Sequence, residues 1–175
     1  MVDEDQEVRF QDALEGILQD ARSVQWASLR GAYGYSDASD HYRDPLGMLR
    51  VFATECDVDS GVWGDAYDDC FLAHVWHQYT IYPVTAMAIG YAVRIASLRS
   101  SVAAEPTAQI AIGLRLIAES AGRWTKDPES RNRELGEAVA AAFVAHGNYI
   151  RAWVGKPLEE HAIEIGRWIP EVINR

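Results

Sequence analysis

The sequence predicts a mainly α-helical fold, a compact multi-helix bundle of about six to seven helices with two long acidic and aromatic loops. Three observations support this prediction. The chain has 175 residues, 49% of them hydrophobic, which is enough for one well-packed domain. Its apolar residues recur at steps of three and four, the period of an amphipathic helix. No segment shows the sustained alternation of apolar and polar residues that is typical of a half-buried strand.

Prolines mark the predicted starts of five helices. Proline is favoured in the first helical turn because its missing N–H would have no partner there. In two cases the preceding residue is an aspartate, Asp44 or Asp127, whose carboxylate can accept from the free amides of the first turn. The five prolines are Pro45, Pro83, Pro106, Pro128 and Pro157.

Each predicted helix carries an apolar stripe. The first helix, which precedes all the prolines, has its stripe at Phe10, Leu14, Ile17, Ala21 and Val24. The segments after Pro83 and Pro106 are apolar on more than one face, which predicts a central position in the fold. Gly90 and Gly113, one in each segment, predict places where neighbouring helices approach closely. The last two stripes are Leu135, Val139, Ala142, His146, Ile150 and Trp153, and then Leu158, Ala162, Ile165 and Ile169.

Two units are predicted along the chain. Residues 1–126 form a helical core domain, and residues 127–175 form a C-terminal helical hairpin packed on that core. Within the core, residues 31–44 and 57–69 are rich in Gly, Ser, Asp and aromatic residues, which is typical of loops. These two loops flank the helix predicted to begin at Pro45.

The acidic residues are concentrated in the first part of the chain. The net charge of −10 divides into −11 for residues 1–70, with 16 carboxylates and five arginines, and +1 for residues 71–175. Direct nucleic-acid binding is not expected, because phosphate contacts need lysine and arginine. A basic protein surface, or a bound cation, is the better match for this field. A solvated acidic face that keeps the protein soluble explains the same charge.

The sequence also predicts a cytoplasmic protein with no membrane partner. Residues 1–7 are acidic, whereas a signal peptide begins with a basic segment and an apolar run. The uncharged stretch of residues 70–93 has too short an apolar part to span a bilayer, and a buried helix is expected there. Only Cys56 and Cys70 are present, so the fold does not depend on disulfides and a reducing compartment is favoured.

One stretch of the chain resembles a known group of proteins. The matching residues are Gln25, Leu29 and Arg30, then Leu46, Gly47, Met48 and Leu49, then Gly61 and Trp63. With this pattern, residues 25–63 resemble small uncharacterised proteins of actinobacteria and their phages, in which a Q…LR element precedes a Cys-x-LGVL segment and a later G-x-W. The family pattern often has cysteines around LGVL, where this chain has Asp44, Pro45 and Arg50. The resemblance therefore implies a bacterial or phage source. A thiol or metal role of those cysteines does not carry over, and the family has no established activity to transfer.

Aromatic and acidic residues in the two predicted loops give the main functional hypothesis. Tyrosine and tryptophan supply large contact areas at low entropic cost, and Gly, Ser and Asp adapt around them. These loops predict a non-enzymatic module that binds a basic protein partner. The alternative is that the aromatic rings fold inward and hold the loops to the core. The predicted partner-binding residues are Tyr33, Tyr35, Asp37, Asp40, Tyr42, Trp63, Asp65, Tyr67 and Asp68.

A second hypothesis is a zinc site formed by Cys70, His74 and His77. Their spacing of four and then three would place them on one face of a helix, and thiolate and imidazole are zinc ligands. Cys56 or Asp69 could supply a fourth ligand. The paired C-x₂-C of common zinc motifs is absent, so the alternative is an amphipathic helix with a polar side.

Other functional patterns are weaker. Residues 57–68 carry acidic residues as an EF-hand loop does, but glycine falls at the fifth position and Asp68 replaces the bidentate glutamate. This predicts an ordinary acidic turn, with a loosely bound Ca²⁺ as the alternative. A third hypothesis is a structural subunit that self-associates through the apolar helices after Pro83 and Pro106.

No nucleotide-binding, hydrolase or metalloprotease motif is present, so the sequence does not support an enzyme.

Overall fold

The fold is mainly α-helical, as predicted. The computed structural model describes residues 4–174, with the side chains of residues 8–41 and 43–174. The helices are α1 (Glu4–Arg22), α2 (Pro45–Thr54), α3 (Gly61–Gly64), a π-helix (Asp65–Val75), α4 (Pro83–Arg99), α5 (Ala104–Trp124), α6 (Ser130–Ala145), α7 (Gly147–Arg151) and α8 (Glu159–Trp168). Short 3₁₀ turns lie at Trp26–Ser28, His41–Arg43 and Pro170–Val172.

Two small antiparallel hairpins complete the structure. The first pairs β1 (Arg30–Gly31) with β2 (Gly34–Tyr35), and the second pairs β3 (Trp76–His77) with β4 (Thr80–Ile81). The amide of Ala32 donates to the carbonyl of His74, 3.0 Å away, so the first hairpin is attached to the end of the π-helix. The two hairpins therefore lie at the same end of that helix.

Helices α4 and α5 form the centre of the molecule, as their apolar faces predict. Helix α4 packs against α1, α2, α5 and α6, and α5 also contacts α6 and α8. Of their large apolar side chains, only Met87 and Ile112 are exposed within the described part of the chain. The other large apolar side chains of α4 and α5 are buried or partly buried in the core.

Local sequence signals explain where α2 and α4 begin. Pro45 is the first residue of α2, and Asp44 caps it by accepting from the Gly47 amide at 2.9 Å. Helix α4 begins at Pro83, where the Thr85 hydroxyl accepts from the backbone amide of Tyr82 at 2.9 Å. The missing N–H of each proline costs nothing at these positions.

The two glycines predicted to allow close approach do so. A Cβ on Gly90 of α4 would lie 2.4 Å from Nε2 of His146, and a Cβ on Gly113 of α5 would lie 2.4 Å from Cε1 of Phe71. Such distances are far below van der Waals contact, so each position excludes a side chain. Gly90 lets the end of α6 approach α4, and Gly113 seats the π-helix on α5.

The prediction of a loop over residues 57–69 is wrong for most of its length. Ser60 caps α3 by accepting from the Trp63 amide at 3.1 Å, and the helical path continues through the π-helix. The reason is the recurrence of Trp63, Tyr67 and Phe71 at every fourth position, which gives the segment a buried aromatic face. Residues 31–44, in contrast, form the β1–β2 hairpin and a 3₁₀ turn, without an α-helix.

The C-terminal segment shares the core of the rest of the chain. Helix α6 packs on α4 and α5, and α8 packs on α5. The indole Nε1 of Trp153 donates to the Ser97 hydroxyl of α4 at 2.8 Å. The buried side chains from this segment that join the common cluster include Val139, Phe143, Ile150, Trp153, Ala162 and Ile165.

None of the helices in the described part of the chain has the length and apolar character that a membrane-spanning segment requires.

Candidate functional site

Residues 41–44 and the first turns of the π-helix meet on one surface. The 3₁₀ turn at His41–Arg43 packs against the π-helix, and Nε2 of His41 lies 3.7 Å from Oδ2 of Asp69. One ligand atom each from His41, Asp65 and Asp69 lies within 4.8 Å of the others. We call Asp44, Asp65, Asp68 and Asp69 the acidic face; it combines the start of α2 with the first turns of the π-helix.

Of the aromatic residues predicted to bind a partner, two are exposed. Tyr33 is 52% exposed and Tyr35 is 63% exposed, both on the β1–β2 hairpin. The ring of Tyr33 lies 5.9 Å from the ring of His77 on the second hairpin. The side chain of Tyr42 lies outside the described residues. The hairpin therefore presents two tyrosine rings to solvent.

Trp63 and Tyr67 are buried, which removes them from the predicted binding set. Their rings stack 5.9 Å apart, and Trp63 also packs 5.3 Å from the ring of Phe52. Nε1 of Trp63 donates to Oε1 of Gln109 at 2.7 Å, and the Tyr67 hydroxyl donates to the Gln109 carbonyl at 2.8 Å. Burial raises the pKa of Tyr67 to about 12. For these two residues the inward alternative is correct.

The four predicted aspartates differ in their surroundings. Asp65 and Asp68 are exposed on the π-helix. Asp37 is exposed too, and hydrogen bonds from the amide and hydroxyl of Ser39 hold its pKa below the ordinary value. Asp40 is half-buried and makes an ion pair with Arg43 at 2.8 Å, which offsets its charge. Asp65 and Asp68 therefore contribute most directly to the acidic face.

The structure does not gather the proposed zinc ligands. Cys70 and His74 are buried on the π-helix, whereas His77 lies on β3, because the helix ends at Val75. Burial raises the pKa of the Cys70 thiol, which disfavours the thiolate that zinc binds. Among residues 8–41 and 43–174, the one set of three converging ligand atoms is His41, Asp65 and Asp69.

His74 is instead a buried neutral imidazole. Its ring packs directly on Gly31, where a Cβ would lie 2.3 Å from Cε1. Nε2 lies 3.4 Å from the Ser36 hydroxyl, and within the described structure Nδ1 has no hydrogen-bond partner. Burial, helped by the charge of Arg43 and opposed by that of Asp40, lowers the pKa of His74 to about 4.

We expect His74 to make stability depend on pH. Its pKa is about 4 in the folded protein and near 6.5 when unfolded, so the unfolded chain takes the proton more readily. This contribution to stability is complete above pH 6.5 and is lost as the pH falls toward 4, by on the order of 2–3 kcal/mol. Urea denaturation of the wild type and of His74→Gln across this range should show a shallower loss in the variant.

The matched control is His41→Gln, since His41 is exposed. Its pH profile should follow that of the wild type more closely. Identical profiles for His74→Gln and the wild type would contradict a neutral buried imidazole.

A groove of about 190 Å³ lies beside the acidic face, between α2 and the α3–π-helix segment. Its rim carries His41, Asp44 and Asp65. Oδ2 of Asp44 would lie 2.4 Å from a Cβ on Gly47, so glycine makes room for this carboxylate. The apolar side chains lining the groove are Met48, Val51, Val62 and Ala66. Sequence reasoning missed this groove, because its two walls are helices that only the fold brings together.

A larger groove of about 460 Å³ lies between α5, α6 and the segment that follows α8. Its lining includes the basic residues Lys126 and Arg167 and the acidic residues Glu137 and Glu171. Because the lining carries both positive and negative charges, this groove has no electrostatic preference for either a basic or an acidic partner. The groove beside the acidic face is therefore the better candidate site.

Comparisons with protein-family models, with curated proteins and with solved structures gave no match to this chain.

Proposed function

We propose that the protein is a non-enzymatic binding module of bacterial or phage origin that engages a basic protein partner through its acidic face. The observation that carries this proposal is the convergence of acidic side chains from separate segments. Asp44, which caps α2, and Asp65 from the π-helix line the same groove, and Asp69 lies beside His41. Carboxylate oxygens of Asp65 and Asp69 lie within 4.8 Å of each other. Like charges at this distance repel, and a cationic partner would relieve that repulsion.

Charge distribution supports a protein partner. Residues 1–70 carry a formal charge of −11, and the carboxylate of Asp12 on α1 is one of the exposed charges in that half of the chain. A field of one sign accelerates the encounter with a partner of opposite sign. The same field opposes contact with nucleic-acid phosphates.

The exposed tyrosines and the apolar groove distinguish a binding surface from a merely solubilising one. Solubility requires charge alone. Val62 is 55% exposed at the groove, and Tyr33 and Tyr35 expose large rings on the hairpin attached to the other end of the π-helix. Apolar surface surrounded by charge is the usual composition of a protein-binding patch. A cytoplasmic location fits two free thiols, Cys56 and Cys70.

The proposal is tested by titrating the protein into a fluorescein-labelled peptide of alternating arginine and serine and following its anisotropy. We expect saturable binding that weakens as the salt concentration rises, because exposed charges are screened beyond about 10 Å at 0.1 M salt. A peptide of alternating glutamate and serine is the control and should not bind. Failure of the arginine–serine peptide to bind at low salt would contradict the proposal.

A further inference from the structure

We infer that the groove between α2 and the α3–π-helix segment receives the side chain of one arginine from the basic partner. This inference rests on the proposed function and identifies the contact at its centre. The groove has apolar walls and an acidic rim, and each part matches one part of an arginine side chain.

The apolar walls fit the aliphatic stem of arginine. Met48 and Val51 come from α2, and Val62 and Ala66 face them from the next helical segment. Arginine buries its methylene stem against apolar surface and keeps its charged end at a polar rim. Val62 is 55% exposed in the free protein, so covering it removes apolar surface from water.

The rim fits the guanidinium group. Asp44 is fixed in place because its Oδ1 accepts from the Gly47 amide at 2.9 Å. Asp65 lies on the opposite wall. A planar guanidinium has five donors in a rigid fork and bonds to carboxylates more specifically than the compact ammonium group of lysine. Two carboxylates that line one groove from different helical segments therefore favour arginine over lysine.

The size of the groove favours a single side chain over a small-molecule ligand. Sites for drug-sized molecules are typically about 300–1,000 Å³. This groove is about 190 Å³. It is therefore large enough for one inserted side chain while the rest of the partner stays outside.

The direct test is an NMR titration of the full chain, observing the methyl groups of Met48, Val51 and Val62. The probe is N-acetyl-arginine N-methylamide, compared with the citrulline derivative, which has the same shape without the charge, and the norleucine derivative, which has only the stem. We expect saturable shifts with the arginine derivative, with a Kd of about 1–10 mM, and none with the other two. Equal shifts with the norleucine derivative would overturn the inference, because the rim would then play no part.

Filling the groove tests the same contact in the peptide complex. Val62→Phe adds bulk at the groove without changing charge, and Val154→Phe makes the same change at an exposed position that does not line the groove. We expect Val62→Phe to weaken binding of the arginine–serine peptide about tenfold and Val154→Phe to leave it unchanged. Unchanged binding by Val62→Phe would overturn the inference while the proposed function stands. Failure of the wild type to bind the peptide would count against the proposed function itself.

Neutralising the rim provides a second variant that keeps the core intact. Asp65→Asn removes a rim charge, and Asp68→Asn removes a charge from the same helix away from the groove. We expect a larger loss of affinity for the arginine derivative with Asp65→Asn. Methyl shifts that appear with Zn²⁺ or Ca²⁺ alone, and not with the arginine derivative, would instead indicate a cation site at His41, Asp65 and Asp69 and would overturn the inference.

Discussion

Replacing Trp63 with alanine is expected to lower the free energy of unfolding by about 3–5 kcal/mol. Trp63 is 1% exposed, and its ring packs against Phe52 and Tyr67 in the core. Truncation leaves a cavity in this aromatic cluster and deprives Gln109 of the indole N–H that it accepts at 2.7 Å. Both effects act on the helical segment that forms one wall of the groove.

Chemical denaturation measures this effect, with Tyr35→Ala as the control. Tyr35 is 63% exposed, so its truncation should change stability by less than about 0.5 kcal/mol. A loss below about 1 kcal/mol for Trp63→Ala, together with weaker peptide binding, would indicate a surface role for this tryptophan and would contradict the structure.

Replacing Arg99 with methionine is expected to cost about 3–5 kcal/mol. The Arg99 side chain is buried, with 2% exposure, and its guanidinium donates to the carbonyls of Phe52 and Glu55 and contacts Sγ of Cys56 at 3.0 Å. These groups lie in and just after the last turn of α2, whose final carbonyls have no partner within the helix. Methionine keeps much of the volume and leaves these acceptors without a donor.

Arg94→Met is the matched control on the same helix. Arg94 pairs with the exposed Asp20 at 3.1 Å, a surface contact worth less than about 1 kcal/mol. Thermal and urea denaturation should therefore separate the two variants clearly. Equal stability of Arg99→Met and Arg94→Met would show that the end of α2 does not depend on the buried guanidinium.

Local signals were sufficient to predict much of the helical framework. Helices α2 and α4 begin at Pro45 and Pro83, as predicted. Proline marks a helix start because it is favoured in the first turn, where its missing N–H would have no partner. The central position of α4 and α5 follows from their apolar faces. The division of the helix after Pro128 into α6 and α7 at His146 was not predicted, since the apolar stripe continues across it.

Elements that depend on tertiary contacts were missed. The π-helix has no sequence signature, and the glycines and aspartates of residues 57–69 indicated a loop more strongly than its aromatic spacing indicated a helix. The second hairpin was missed because Gln78 and Tyr79 form its turn with φ of 48° and 65°, where Asn and Gly are usual. Their conformation is set by the surrounding fold rather than by local preference.

The candidate site was predicted only in part, because some of its residues are placed by tertiary contacts. Exposure of Asp65 and Asp68 follows from their own charge, which is costly to bury. The buried rings of Trp63 and Tyr67 both donate hydrogen bonds to Gln109, which lies 46 and 42 positions further along the chain. No local pattern indicates that contact, so composition alone assigned these rings to the surface.

The central claim is that the acidic face, rather than overall negative charge, binds the basic partner. The most direct measurement compares the Kd of the arginine–serine peptide for Asp65→Lys/Asp68→Lys and for Glu134→Lys/Glu137→Lys, in which two exposed carboxylates of α6 are reversed. The two variants undergo the same change in net charge. We predict binding at least about tenfold weaker for the first variant and a change within about twofold for the second, at 0.1 M salt. Equal weakening in both would contradict the claim, because the peptide would then be responding to net charge alone.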